Sequence, residues 1–206
     1  MKHTQARRAF WASCIFLIGI PSVLKAQKAS LTPDDIKTAI EKGTAQKNTF
    51  YKELGIGLRL SDGLLAYQLQ VYTPTTWIQR QALNAAFKYE PYTPSDDDLR
   101  PVLRVIVTPR APEGMYSCPL VNRVILQDTK KTNTAQPLTA VGSATVYQNA
   151  FGAQTICTRQ YSEFALADLA QLRGSSDDGF VIKILQNQSG SEKSYEVKKK
   201  HFERIP

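Results

Sequence analysis

Apolar and polar residues alternate most plainly at Leu65, Tyr67, Leu69 and Val71, with Ala66, Gln68 and Gln70 between them. A period of two puts each set on its own face, so this segment predicts a strand with one covered and one wetter side. Asp62-Gly63 just upstream, with Ile56 to Leu60 before it, predicts a hairpin, because a tight hairpin turn demands positive φ. The segments 102–108, 121–127, 140–148, 155–161 and 180–186 are rich in β-branched and aromatic residues and predict further strands. The last of these returns through Asn187-Gln188-Ser189-Gly190-Ser191 as Ser194 to His201.

Helical spacing takes over where Thr-Pro pairs stand. At Thr32-Pro33-Asp34-Asp35 the Thr can cap, Pro is pre-shaped for the first helical position, and the two acids suit a helix N-terminus. Ile36, Ala39 and Ile40 then make a short apolar face and Gly43 is a natural stop. Thr73-Pro74 predicts a second helix to about Lys88, with Trp77, Ile78, Ala82, Ala85 and Tyr89 at helical spacing and a sheet to pack on. At Thr93-Pro94-Ser95-Asp96 the signal returns, but Pro101 leaves space for only a turn or two. A last helix is predicted from Glu163 to Arg173, with Ser162 as cap, Leu166, Leu169 and Leu172 as its apolar positions and Gly174 as its end. About seven or eight strands and about three helices packed against them make an α+β domain around a largely antiparallel sheet.

The first 26 residues follow neither period. Lys2, Arg7 and Arg8 precede an apolar run from Ala9 to Ile20, Pro21 and Ser22 break it, and Leu24-Lys25-Ala26 ends on a small residue. This is the layout of a cleaved export signal, and the run is well short of the roughly 20 apolar residues that span a bilayer. Arg7-Arg8-Ala9-Phe10 partly matches a twin-arginine signal, so either that route or the ordinary secretory one is expected. Residues 27–206 then form the mature chain, a single domain without a transmembrane segment, in the periplasm or outside the cell. Its charge is also milder than that of the whole chain. Of 26 basic and 18 acidic residues, four basic ones leave with the signal, and the remaining 22 against 18 give a net of +4. Such an excess serves solubility and is compatible with weak attraction to anionic glycans or lipid head groups.

Export changes the reading of the thiols. Cys118 and Cys157 are the two cysteines of the mature chain, and an even pair in an oxidising compartment predicts a disulfide. Tyr116-Ser117-Cys118-Pro119-Leu120-Val121 is similar over six residues to the cysteine motif of secreted peptidoglycan amidohydrolases. It carries Ser117 in place of that motif's Asp and Pro119-Leu120 in place of Ser-Gly, and a strand follows where the motif has a helix, so no family is assigned on it. His201 is the single histidine of the mature chain, which removes HExxH and three-His metal sites and leaves any thiol catalysis to Cys118 with His201 itself.

Asp96-Asp97-Asp98 and Asp177-Asp178 lack the alternating ligand order of a calcium loop and read as caps and turns. Neither phosphate loops nor other cofactor motifs are present, and no cofactor, metal or nucleic-acid partner is expected. Lys198, Lys199, Lys200 and Arg204, with the exposed aromatic positions, are the candidate surface for an anionic glycan or lipid head group, although lysines on an edge strand also guard against aggregation. The sequence therefore predicts no catalytic residue. It points to a binding or structural module of the cell envelope, with a hydrolase of envelope polymers, carboxylate-based or using Cys118 and His201, as the alternative.

Overall fold

The computed structural model describes residues 30–48, 58–61, 67–111, 118–150, 153–173, 179–186 and 192–198. The export segment, the Asp62-Gly63 turn, Asp177-Asp178, the 187–191 turn, Lys199, Lys200, His201 and Arg204 lie outside the described residues.

Among the described residues four α-helices and nine strands occur in the order α1 (Pro33–Ala45), β1 (Leu58–Ser61), β2 (Tyr67–Tyr72), α2 (Pro74–Phe87), α3 (Asp96–Leu99), β3 (Val102–Pro109), β4 (Arg123–Asp128), β5 (Thr134–Ala135), β6 (Thr139–Ala150), β7 (Ala153–Ala165), α4 (Leu166–Arg173), β8 (Phe180–Leu185) and β9 (Glu192–Val197). Every pairing among the described strands is antiparallel. The class is the α+β one the periodicity predicts, but the strands divide between two sheets. One holds five strands in the order β1-β2-β3-β7-β6 and the other four in the order β5-β4-β8-β9.

One apolar core joins the sheets. Leu69 and Val71 of β2, Leu103, Val105 and Val107 of β3, and Phe164 of β7 meet Val124, Leu126, Ile182, Ile184 and Val197 from the second sheet, with Leu166, Leu169 and Leu172 of α4 alongside. Each such side chain withdrawn from water contributes roughly 1.5–3 kcal/mol, so this seam supplies most of the driving force. The Cys118–Cys157 disulfide, with 5.5 Å between its Cα atoms, ties β7 to the segment that leads into β4. Tyr67 adds a polar link between the same regions, donating to the Leu120 carbonyl at 3.1 Å and accepting from Gln186 Nε2.

The opposite face of the five-stranded sheet is covered by helices. Tyr72, Leu83 and Ile106 form a small second core there with Trp77 and Tyr161. Thr73 caps α2 as its spacing predicts, in a reciprocal arrangement with Thr76. The helix ends at Phe87 in a Schellman motif, Glu90 N donating to the Ala85 carbonyl and Tyr89 N to that of Ala86. Tyr89 occupies the left-handed position, at φ 60°, where glycine is usual.

Two helix boundaries differ from expectation. Gly43 does not stop α1, which runs on to Ala45; a Cβ at position 43 would strike the backbone carbonyl oxygen of Gln79 on α2. Its role is close approach between helices. Glu163 does not start α4, for β7 continues through Ala165 and the helix begins at Leu166. Glu163 pairs in register with Arg104 and Phe164 with Leu103, so burial on both faces of the strand overrides the Ser162 capping signal.

Candidate functional site

A recess of about 230 Å³ opens over the helix-covered face of the five-stranded sheet, lined by residues of α2, α3, β3 and β7. Its floor follows from register. On β3 the residues facing α2 are the partners of Tyr72 on β2 and Glu163 on β7, and the residue at that position is Arg104. Both members of the Arg104–Glu163 pair are buried, with 6% and 2% of their surface exposed.

Desolvating two charges is tolerable only when each is bonded to the other or to fixed dipoles. Arg104 Nε donates to Glu163 Oε1 at 3.1 Å, and its Nη2 donates to the backbone carbonyl of Asp97. Arg100 closes on the same carboxylate from the rim, 2.6 Å from Oε2 through Nη1 and 2.9 Å from Oε1 through Nη2. The Arg104 guanidinium also lies 4.8 Å from the centre of the Trp77 ring, a cation–π contact that shields it further. Burial draws the Arg104 pKa down, with the Glu163 charge opposing, and a guanidinium stays protonated throughout.

α3 supplies the second wall. Ser95 caps it, accepting from Asp98 N at 3.3 Å while its own amide and hydroxyl donate to Asp98 Oδ2 at 3.0 and 2.8 Å. Asp98 Oδ1 accepts from Trp77 Nε1 at 2.8 Å, so a single carboxylate locks helix cap and indole together. Burial pushes the Asp98 pKa up, but the bonds from Ser95 and Trp77 hold it below the ordinary carboxylate value. Burial, then the Asp98 charge, drive the Tyr92 hydroxyl far the other way. Trp77 is fixed by its edge contact with Tyr72, ring centres 5.7 Å apart.

The residues singled out in the sequence fall largely elsewhere. Cys118 and Cys157 are joined as expected. Lys198 is exposed at the end of β9, on the other sheet, and lies 3.4 Å from Glu196. Of the exposed aromatics, Phe87 and Tyr89 stand at the end of α2, the latter 85% exposed with Lys47 Nζ 3.3 Å above its ring. The Asp96-Asp97-Asp98 run does serve as a helix start, and it brings Asp97 and Asp98 into the recess. Among the described residues no group of three His, Cys, Asp or Glu side chains is arranged to hold a metal ion, and no helix is long and apolar enough to cross a membrane.

Arg104 and Glu163 went unseen in the sequence. A signal existed: Arg104 is a single charge inside Val-Leu-Arg-Val-Ile-Val, a run otherwise apolar on both faces, and such a charge must find a buried partner.

No family model and no curated protein matches this chain. Among solved structures it is similar to a protein of Burkholderia pseudomallei K96243, described as a novel protein of unknown function, at 12% identity and a TM-score of 0.38 over 85% of this chain and 94% of that one. A likeness of that size transfers neither fold nor function.

Proposed function

We propose that the chain is an exported, non-catalytic binding module of the cell envelope, and that the recess between Trp77 and Tyr161 takes its ligand. Export rests on the layout of residues 1–26, and the Cys118–Cys157 bridge is compatible with an oxidising compartment. The observation that favours binding over turnover is the condition of the ionisable groups. Asp98 has its pKa held low and offers no proton at neutral pH, Glu163 is clamped between two guanidinium groups, and Cys118 carries no thiol. Groups locked in this way present hydrogen-bond directions that need no reorganisation when a ligand enters.

The test is retention against turnover. Mature protein purified without reductant is sedimented with insoluble envelope polymer, and the supernatant is analysed by mass spectrometry. Retention with the polymer intact is expected, and release of fragments overturns the reading in favour of a hydrolase. Salt-sensitive retention that falls in the Lys198→Ser, Lys199→Ser, Lys200→Ser variant assigns the anionic component to that basic edge. Retention unchanged in that variant removes the edge and leaves the recess. The mass of the exported chain reports cleavage after Ala26 in the same preparation.

A further inference from the structure

We infer that the free edge of β6 pairs antiparallel with β6 of a second copy of this chain about a two-fold axis, joining two five-stranded sheets into one. Among the described strands four lie at sheet edges: β1 and β6 in the five-stranded sheet, β5 and β9 in the other. An edge presents a row of unpaired N–H and C=O groups, and shortness, charge or a bulge is what keeps such a row from pairing with another chain. Three of the four edges are guarded in this way. β1 has four residues and includes Arg59, β5 has two, and β9 carries Glu192, Lys193 and Glu196. β6 is twelve residues long and holds neither charge nor proline. A register shift between Ala140 and Gly142 guards its start, and beyond it Ser143 to Ala150 runs in unbroken register with β7.

The chemistry of that edge selects its partner. No charged residue occurs from Thr132 to Thr158, in a chain of which 21% is charged, so β6 offers nothing that would draw an acidic or basic segment. The charge nearest to it in register is Arg159, opposite Ala144, and that guanidinium is bonded across to β3, Nε donating to Thr108 Oγ1 at 3.2 Å. β7 is held at Cys157 by the bridge to Cys118, so the hairpin is fixed to its own domain while β6 forms the outer strand. An uncharged strand with Thr145, Val146 and Tyr147 at its middle suits a sheet and meets no like-charge repulsion from its own copy. Two-fold pairing also closes, because each copy uses its one unguarded edge and the far edge, β1 with Arg59, does not propagate the sheet. The axis stands normal to the sheet, since that rotation sets identical strands side by side and antiparallel. Both recesses then open on the same face of the joined sheet, which on the binding reading above doubles the sites turned toward one polymer surface.

The mature chain, purified without reductant, is weighed by light scattering and analytical ultracentrifugation across a dilution series. A reversible monomer–dimer equilibrium with no larger species is expected. Positions 145 and 149 fall on one face of the strand, and Thr158, the register partner of Thr145, is exposed, so the folded monomer should accept charge there. The Thr145→Lys, Asn149→Lys variant should weaken dimerisation at least about tenfold, because like charges then gather around the axis. Thr145→Glu, Asn149→Glu should do the same, and an equal mixture of the two variants should dimerise again. Monomer at every concentration overturns the proposal, as does a dimer that both variants leave intact. Filaments in place of a dimer overturn the closure, and loss in both variants without recovery in the mixture overturns self-pairing. Should the substitutions unfold the chain, as read by far-ultraviolet circular dichroism, amide hydrogen exchange of the unaltered chain decides. Protection across residues 143–150 that rises with concentration supports the pairing, and protection independent of concentration overturns it. None of these readings involves envelope polymer, so they stand apart from the retention test of the binding proposal.

Discussion

On one face of β3, Leu103, Val105 and Val107 sit in the apolar seam between the sheets; on the other are Arg104 and Ile106, which line the recess, and Thr108. All six are buried, yet they obey different rules. The inner face needs only volume and greasy surface, and many sequences would satisfy it. Burial on the outer face is tolerated only because Arg104 meets Glu163, Arg100 braces that carboxylate, and Arg159 Nε donates to Thr108 Oγ1 at 3.2 Å. Interchangeable contacts on one side and specific ones on the other separate the face that holds the fold from the face that carries the recess we propose as a binding site.

The sharpest way to break this contrast is Glu163→Gln. It leaves the Arg104 guanidinium buried without its counter-charge and should lower stability by about 3–5 kcal/mol, read as a fall in denaturant midpoint at unchanged slope. A loss below about 1 kcal/mol would mean that water reaches Arg104 and the outer face is not dry. On the inner face, Leu103→Ala should cost about 3 kcal/mol through the cavity it leaves, with Trp77 emission unchanged because the damage lies across the strand. An altered indole signal would show that the two faces are coupled.

The smallest effect belongs to Asp98. Its folded pKa is depressed, so the stability it contributes is present above the unfolded carboxylate pKa and is lost as pH falls through the folded one. Asp98→Asn should therefore trail the wild type by under about 1 kcal/mol at neutral pH, given its partial exposure. The gap should close below about pH 4. Equal gaps at pH 7 and pH 3 would contradict the assignment of Ser95 and Trp77 as the groups that hold the carboxylate ionised.

What could be read from the sequence divides along the same line. The inner face was legible: alternation at Tyr67, Leu69 and Val71 and the aliphatic runs of β3, β4 and β8 gave strands close to those observed, and Thr32-Pro33 and Thr73-Pro74 gave both long helices. Local chemistry sets these features. The outer face was not legible, because its content depends on residues far apart in sequence: Glu163 reads as a helix start until Arg104 stands opposite it, and Gly43 reads as a stop until Gln79 packs on it. β5 escaped for a simpler reason. Two residues carry no period, and their placement depends on Asp128, which accepts from the Thr132 and Asn133 amides at 2.7 and 3.0 Å and folds the turn.

We propose that the buried Arg104–Glu163 pair is kept for the recess and not for stability. The Arg104→Met, Glu163→Leu double variant measures it directly, because an apolar pair of similar volume removes both desolvation penalties at once. Denaturant unfolding and sedimentation with insoluble envelope polymer are run on the same preparation. A midpoint at or above that of the wild type, together with lost retention on the polymer, is the predicted result. A double variant as unstable as Glu163→Gln, or one that still binds, would contradict the account.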